Sequence, residues 1–472
     1  MVFSSLTFLH AFLPVVMLLY FAVKNRIWRN CVLLAASLVF YSWGEPKFLV
    51  WMLATVLVAY VCGLLIWRFE RENMPRRKKA VLAAGCVFLT ANFFVFKYLG
   101  FALENLSLLL GRSIALREIL LPIGISFYTF QILSYVIDLY RGKVRVQKNF
   151  FWLALYVCFF PQLIAGPIVR YETVEKEIRE RRETVEDVAA GLKRFILGLA
   201  KKVILANHVA LIAEQVYQGD AAYGTVFYWI AAVAYTLQIY FDFSGYSDMA
   251  IGLGRIFGFH FLENFEHPYI SLSITEFWRR WHISLSTWFR DYIYIPLGGN
   301  RAGRPRWIFN ILVVWSLTGF WHGASWNFLL WGLYYAALLL LEKLLLQRLL
   351  DRLPKILRWA YTAFFVVVGW VLFNLTDFSA LREALGIMFR FQGGGLVEAV
   401  GGGAEILYLF LYIPLGLLCM LPLGRWLGQF TARLRGHAVG LAVENAAYLA
   451  LLLLCAAFLL STTFNPFIYF RF

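Results

Sequence analysis

Residues Trp307–Leu341 read WIFNILVVWSLTGFWHGASWNFLLWGLYYAALLLL, a run of 35 positions without a Lys, Arg, Asp or Glu. A full membrane span needs about 20 apolar residues, so the run is short for two spans and long for one. Gly319 and Gly323 interrupt it near the middle. The pattern predicts a broken helical hairpin dipping into a membrane, with His322 at its break. His322 is the one side chain in the run that titrates near neutral pH. An ionisable group at membrane depth is costly and is a functional candidate by default. Apolar surroundings penalise the imidazolium cation, and a neutral imidazole can take a proton from a hydroxyl as a general base must. The same position would also suit a histidine hydrogen-bonded between helices.

Outward from this run the whole chain is apolar. Of 472 residues, 61% are hydrophobic and 15% charged, against about 25% charged in an ordinary soluble domain. A soluble protein of this size has too little interior to hide that much apolar surface. The composition therefore predicts an all-α polytopic membrane protein forming a single membrane domain over 1–472. Spans are expected near residues 5–23, 30–43, 48–67, 80–98, 122–140, 191–216, 224–243, 359–375, 405–423 and 441–460. The net charge is +16, from 44 Lys+Arg against 28 Asp+Glu. The cations gather in short segments such as Arg68–Lys79, Arg141–Lys148 and Lys343–Arg358, the distribution that the positive-inside rule gives to cytoplasmic loops. Nucleic-acid binding would need a basic face on a soluble module, and the sequence contains no such module. Met1–Phe21 lacks a positive n-region and a small-residue cleavage site, so it reads as a first span. Lys24, Arg26 and Arg29 follow it and place the N-terminus outside.

Three segments depart from simple spans. Residues 150–169 are apolar but carry Pro161, Gly166 and Pro167, which predicts a re-entrant or kinked element. Glu172–Asp187 is a mixed-charge run expected to form a solvated helix with i,i+4 pairs. Residues 255–306 are more polar and rich in aromatics, suited to interfacial helices and loops. Within them Ser273 and Glu276 form a capping-box pattern that opens a helix. On that helix Phe277, Trp278, Trp281, Leu285 and Trp288 make one stripe, with tryptophans suited to the membrane interface, and Arg279, His282, Ser286 and Arg290 make another. His282 either joins the arginines facing headgroups or belongs to a site. Asp242 and Asp248 suit buried polar anchors better than substrate contacts. Gly393–Gly395 and Gly401–Gly403 mark a flexible loop. The six cysteines lie in apolar segments without C-x-x-C spacing, which argues against a disulfide framework or a metal site. P-loop, H-E-x-x-H and G-x-S-x-G patterns are absent.

Longer motifs carry a resemblance. Gln238–Gly254 (QIYFDFSGYSDMAIGLG), Glu276–Tyr292 (EFWRRWHISLSTWFRDY) and Ile295–Asn300 (IPLGGN) resemble the AlgI-type branch of the membrane-bound O-acyltransferase superfamily. Pro161–Tyr171 (PQLIAGPIVRY), Gly319–Gly323 (GFWHG) and the ending Phe467–Phe472 (FIYFRF) are similar to the same branch. The resemblance covers essentially the whole chain and is densest over 122–335. It implies roughly 10–12 transmembrane helices, with re-entrant and interfacial helices around a central tunnel. It implies two functional histidines, His322 and His282. Arg279, Arg290, Asp291, Trp321 and Asn327 flank them as candidates for donor or substrate contacts. It further implies a cytoplasmic acyl thioester such as acetyl-CoA as donor, no resident cofactor, and a polysaccharide acceptor on the far side of a bacterial inner membrane. A separate extracytoplasmic SGNH-type protein is the expected partner. Transfer of D-alanine to teichoic acids, as in the DltB branch, and acyl transport without chemistry are the alternatives. The transporter reading expects inverted repeats, and none is legible.

Overall fold

The computed structural model describes residues 1–112, 114, 119–218, 223–301, 303–390, 410–424, 428, 437–461 and 467–468. Every regular element among them is helical. That is the expected answer for a chain in hydrocarbon, where only helices and closed barrels satisfy every backbone group internally. Seven described helices are long and apolar enough to cross a membrane: Pro46–Arg71, Pro75–Leu110, Val185–Gln218, Thr225–Ile256, Trp326–Leu350, Lys355–Asn374 and Ala438–Ser461. Phe8–Ala22 is a shorter apolar helix. Protein covers only 17% of the apolar window in Pro75–Leu110 and 6% in Ala438–Ser461, so lipid must cover the rest. The glycine loop at 393–395 and 401–403 lies outside the described residues, as does the start of the span expected at 405–423, of which Tyr412–Cys419 is helical.

The chain divides into two compact units. One comprises Met1–Phe195 and Ser247–Leu262, the other Ile196–Tyr246 and Glu263–Phe472. In the first, the proline-interrupted segment forms the helix Phe150–Cys158 and a short turn Phe160–Leu163, with the break at Phe159. Leu153–Val169 is buried throughout. At that depth its freed backbone groups need protein partners, and side chains supply some: the Tyr156 hydroxyl donates to the Val169 carbonyl at 3.0 Å. The mixed-charge run is not a solvated helix over its full length. The helix Tyr171–Glu180 ends, and Arg181 and Glu183 turn inward. Glu183 accepts from Arg26 and Arg29, both at 2.5 Å. Arg181 donates to Asn30 Oδ1 at 2.7 Å and to the Phe257 carbonyl at 2.9 Å. A buried charge is tolerable when paired and hydrogen-bonded. Arg26, Arg29 and Asn30 stand about 150 residues earlier in the sequence, where local periodicity carries no trace of them.

In the second unit the uncharged run forms the expected hairpin, with helices Arg304–His322 and Trp326–Leu341 and the break at 323–325. The two helices cross backbone to backbone. A Cβ at Gly319 would lie 2.3 Å from the Phe328 carbonyl oxygen, and one at Gly332 would lie 2.3 Å from that of Trp315. Small residues permit this approach. Lys202 and Asp242 form a buried ion pair at 2.7 Å, and Asp242 also accepts from the Ile468 backbone N–H at 2.7 Å. Asp242 is thus an anchor for residues near the end of the chain. Asp248 pairs with Arg194 at 2.9 Å in the first unit. The crossing at Gly332 makes a prediction. Gly332→Val should lower stability by about 1–3 kcal/mol through overpacking. Thermal unfolding of the purified protein measures this, and an unchanged midpoint would mean that the helices do not need the close approach.

Candidate functional site

The helix that opens at Ser273 does so as expected. The Ser273 hydroxyl accepts from the Glu276 N–H at 3.0 Å, and Glu276 reaches back to the Leu272 N–H at 2.9 Å. A second cap arrives from far along the chain. The buried Glu342 carboxylate accepts from the N–H groups of Ile274 at 2.6 Å and Thr275 at 3.1 Å, and from the Thr275 hydroxyl at 3.0 Å. A carboxylate at a helix N-terminus satisfies orphan donors and suits the dipole there.

In the sequence pattern the two stripes, reaching Trp288 and Arg290, place these residues on one continuous helix. It stops at Arg280, and a new one runs Ile283–Phe289. Between them His282 adopts a left-handed backbone, φ 44° and ψ 54°. That conformation costs a non-glycine residue about 1–3 kcal/mol and recurs at functional sites. The segment 264–266 holds it in place. Glu266 N–H donates to the Arg280 carbonyl at 2.9 Å, and Ile283 N–H donates to the Asn264 carbonyl at 3.0 Å. Asn264 Oδ1 accepts from the Ser284 N–H at 3.2 Å and the Ser284 hydroxyl at 2.8 Å, and it lies 3.1 Å from His282 Nδ1. A backbone N–H can only donate, so the Asn264 atom there is the oxygen, an acceptor. In the neutral ring His282 then carries its proton on Nδ1 and keeps its lone pair on Nε2. The interfacial role expected of the tryptophans also fails: Trp281 and Trp288 are 3% and 4% exposed. The break turns them into the core, where Trp281 packs 4.8 Å from Trp370.

His282 and His322 line one cavity of about 280 Å³. Both imidazoles are buried, at 1% and 7% exposure, so burial does not place one nearer the mouth. The Trp321 ring stands 5.8 Å from that of His282 and 5.0 Å from that of His322. Trp331 and Phe373 meet His322 edge to face at 5.0 Å each. Arg279, Ser286 and Arg290 line the same cavity as the histidines, despite the broken helix. The exposed Arg279, Arg290 and Lys343 give its rim a positive character. Glu342 does not neutralise it, being turned to the helix start. Arg290 is paired with Asp291 at 2.7 Å, so the positive character of the rim rests chiefly on Arg279 and Lys343. Asp291, Trp321 and Asn327 are not among the lining residues. Asp291 serves Arg290, Trp321 packs beside the two imidazoles, and Asn327 donates to the Leu372 carbonyl at 3.4 Å.

Sequence reasoning missed Asn264 and Lys343. Lys343 carried a weak signal as the first cation after the uncharged run. Asn264 carried none, because its partners lie 18 and 20 residues away across a loop.

Burial also sets the protonation of His282, holding its pKa well below the ordinary histidine value. The folded state therefore binds fewer protons than the unfolded state once pH drops below the unfolded value of 6.5, and stability falls on acidification. The loss is at most about 1.4 kcal/mol per pH unit from this group. Between neutral pH and about pH 5, the protein should lose more stability than His282→Gln loses. Equal losses would place the imidazole in contact with solvent.

The family model described as MBOAT, membrane-bound O-acyltransferase family, matches residues 143–380. The chain is 41% identical over 411 residues to the probable alginate O-acetylase AlgI of Pseudomonas putida, covering 84% of this chain and 82% of that protein. It is 33% identical over 442 residues to the peptidoglycan O-acetyltransferase of Helicobacter pylori, covering 86% and 83%. A teichoic acid D-alanyltransferase of Bacillus subtilis is 30% identical over 231 residues, covering 46% and 58%. By these matches the chain belongs to the membrane-bound O-acyltransferase family, and with its apolar helices it is a multi-pass membrane O-acyltransferase.

Proposed function

We propose that the protein moves an acyl group, acetyl above all, from a cytoplasmic thioester such as acetyl-CoA across the membrane towards hydroxyls of an exported or cell-surface polysaccharide. The observation that carries this reading is the shared cavity: two buried imidazoles, from residues 282 and 322, beneath a cationic rim. His322 acts as general base. An acceptor hydroxyl oxygen attacks the thioester carbonyl carbon, the C–O bond forms, the C–S bond breaks, and the thiol leaves with the proton that His322 took. A positioned base supplies roughly 10²–10⁴-fold. His282, with Nε2 as acceptor, orients the donor or the attacking group. Arg279 and Lys343, with Arg290, attract the phosphates of a nucleotide-type donor. The O-acetylating relatives match over most of this chain, whereas the D-alanyl relative matches under half of it, which supports acetyl over D-alanine. An SGNH-type extracytoplasmic protein would complete transfer to the polysaccharide.

Labelled acetyl-CoA, with the purified protein in lipid and mass spectrometry of the products, tests the chemistry. His322→Ala should reduce transfer to background while expression and membrane insertion persist. His282→Ala should lower turnover severely. Arg279→Ala and Lys343→Ala should mainly raise the donor KM, by about tenfold or more. Near-normal turnover in either histidine variant would remove that residue from the mechanism. Flux of acyl groups without covalent transfer would favour a transporter.

The orientation is tested separately. We place the protein in the bacterial inner membrane with its N-terminus outside, from the cations that follow the first span. Single cysteines at Met74 and Arg352, both exposed, should resist impermeant thiol reagents in intact cells of a cysteine-free background. Labelling at these sites from outside would invert the topology.

A further inference from the structure

A second cavity lies in the first unit, well away in sequence from the two histidines, with a volume of about 530 Å³. Three elements build it: the C-terminal end of Pro46–Arg71, the loop after Ile125–Tyr140, and the helix Tyr171–Glu180. Its charged lining residues are Arg145, Lys148, Arg179 and Glu70. Glu70 is engaged by Lys78, so the cations are in excess.

The loop presents those cations in a fixed way. Val144 and Val146 are buried, while Arg145 and Lys148 are exposed at the cavity. Gln147 N–H donates to the Tyr135 hydroxyl at 3.1 Å, and its side chain donates to the Tyr171 hydroxyl at 3.0 Å. The Tyr60 hydroxyl donates to the Lys148 carbonyl at 2.7 Å. The Lys148 ammonium sits 4.2 Å from the centre of the half-buried Trp67 ring. A ligand meeting this loop therefore finds its backbone and the Lys148 ammonium already placed, which lowers the ordering cost of binding.

We propose that this cavity binds the phosphate headgroup of an anionic phospholipid. Phosphate oxygens match arginine forks and an ammonium, and basic pockets between membrane helices suit such headgroups. Lipid is favoured over a soluble phosphate because the cavity opens beside spans whose flanks lipid must cover. Only 33% of the apolar window of Pro46–Arg71 lies within the protein. Trp67 also has the amphipathic character of a residue at headgroup level.

Native mass spectrometry of the full-length protein in detergent, with phosphatidylglycerol or phosphatidylcholine added, tests this. Phosphatidylglycerol should be retained in preference to phosphatidylcholine. Arg145→Gln/Lys148→Gln/Arg179→Gln should weaken retention by about a hundredfold, at about 1 kcal/mol per cation. Arg179→Gln alone should weaken it several-fold. Removing equal charge elsewhere, by Arg348→Gln/Arg352→Gln/Lys355→Gln, should leave retention near that of the parent. Equal losses in the two triple variants would reduce the effect to bulk charge and overturn the proposal. Displacement of the lipid by inorganic phosphate or adenosine 3′,5′-bisphosphate would assign the site to a soluble phosphate instead. None of these readouts depends on acyl transfer, so the result stands apart from the proposed function.

Discussion

The site depends on one constraint: His282 is held in a left-handed backbone by Asn264. Without it, Ile274–Arg280 and Ile283–Phe289 could join as one helix, and the imidazole would lie on a surface stripe beside two arginines. With it, the chain turns at the histidine, Trp281 enters the core beside Trp370, and the ring comes to rest at 1% exposure. One amide oxygen serves three donors there: the imidazole Nδ1–H, the Ser284 N–H and the Ser284 hydroxyl. Each neutral hydrogen bond contributes about 0.5–1.5 kcal/mol, so the set is of the size needed to offset a strained residue at about 1–3 kcal/mol. The contact that fixes the backbone also fixes the tautomer, and so leaves the lone pair on the other nitrogen.

The aromatic surroundings belong to the same design. His322 ends its helix among Trp321, Trp331 and Phe373, each with ring centres 5.0 Å away. Large rigid rings exclude water while leaving a small cavity, and a polar interaction within such a wall is stronger than it would be in water. Charge is handled by segregation. Carboxylates near the cavity are committed elsewhere: Glu342 caps a helix and Asp291 pairs with Arg290. Arg279 and Lys343 are then left to give the rim its sign. Deeper in the unit Lys202 and Asp242 cancel one another, as a buried pair must when water is absent.

What the sequence by itself determined follows from forces that act locally or on the average. Composition required a membrane, because no soluble core could take up 61% hydrophobic residues. Residues 307–341 required a broken hairpin with His322 at the break, because glycines and a missing charge are read within a few positions. The capping box at Ser273 was legible for the same reason. Tertiary structure decided what rests on partners distant in the chain. It broke the helix at His282, since Asn264 outweighs the local helical pattern through hydrogen bonds made 18 and 20 residues away. It took Arg181 and Glu183 out of solvent, since Arg26, Arg29 and Asn30 await them about 150 residues earlier. It brought Lys343 beside the cavity of two histidines from other segments. Periodicity reports which face of a helix is apolar, but only the folded chain reports which groups lie near enough to pair, because hydrogen bonds and ion pairs act over a few ångströms of space whatever the separation in sequence.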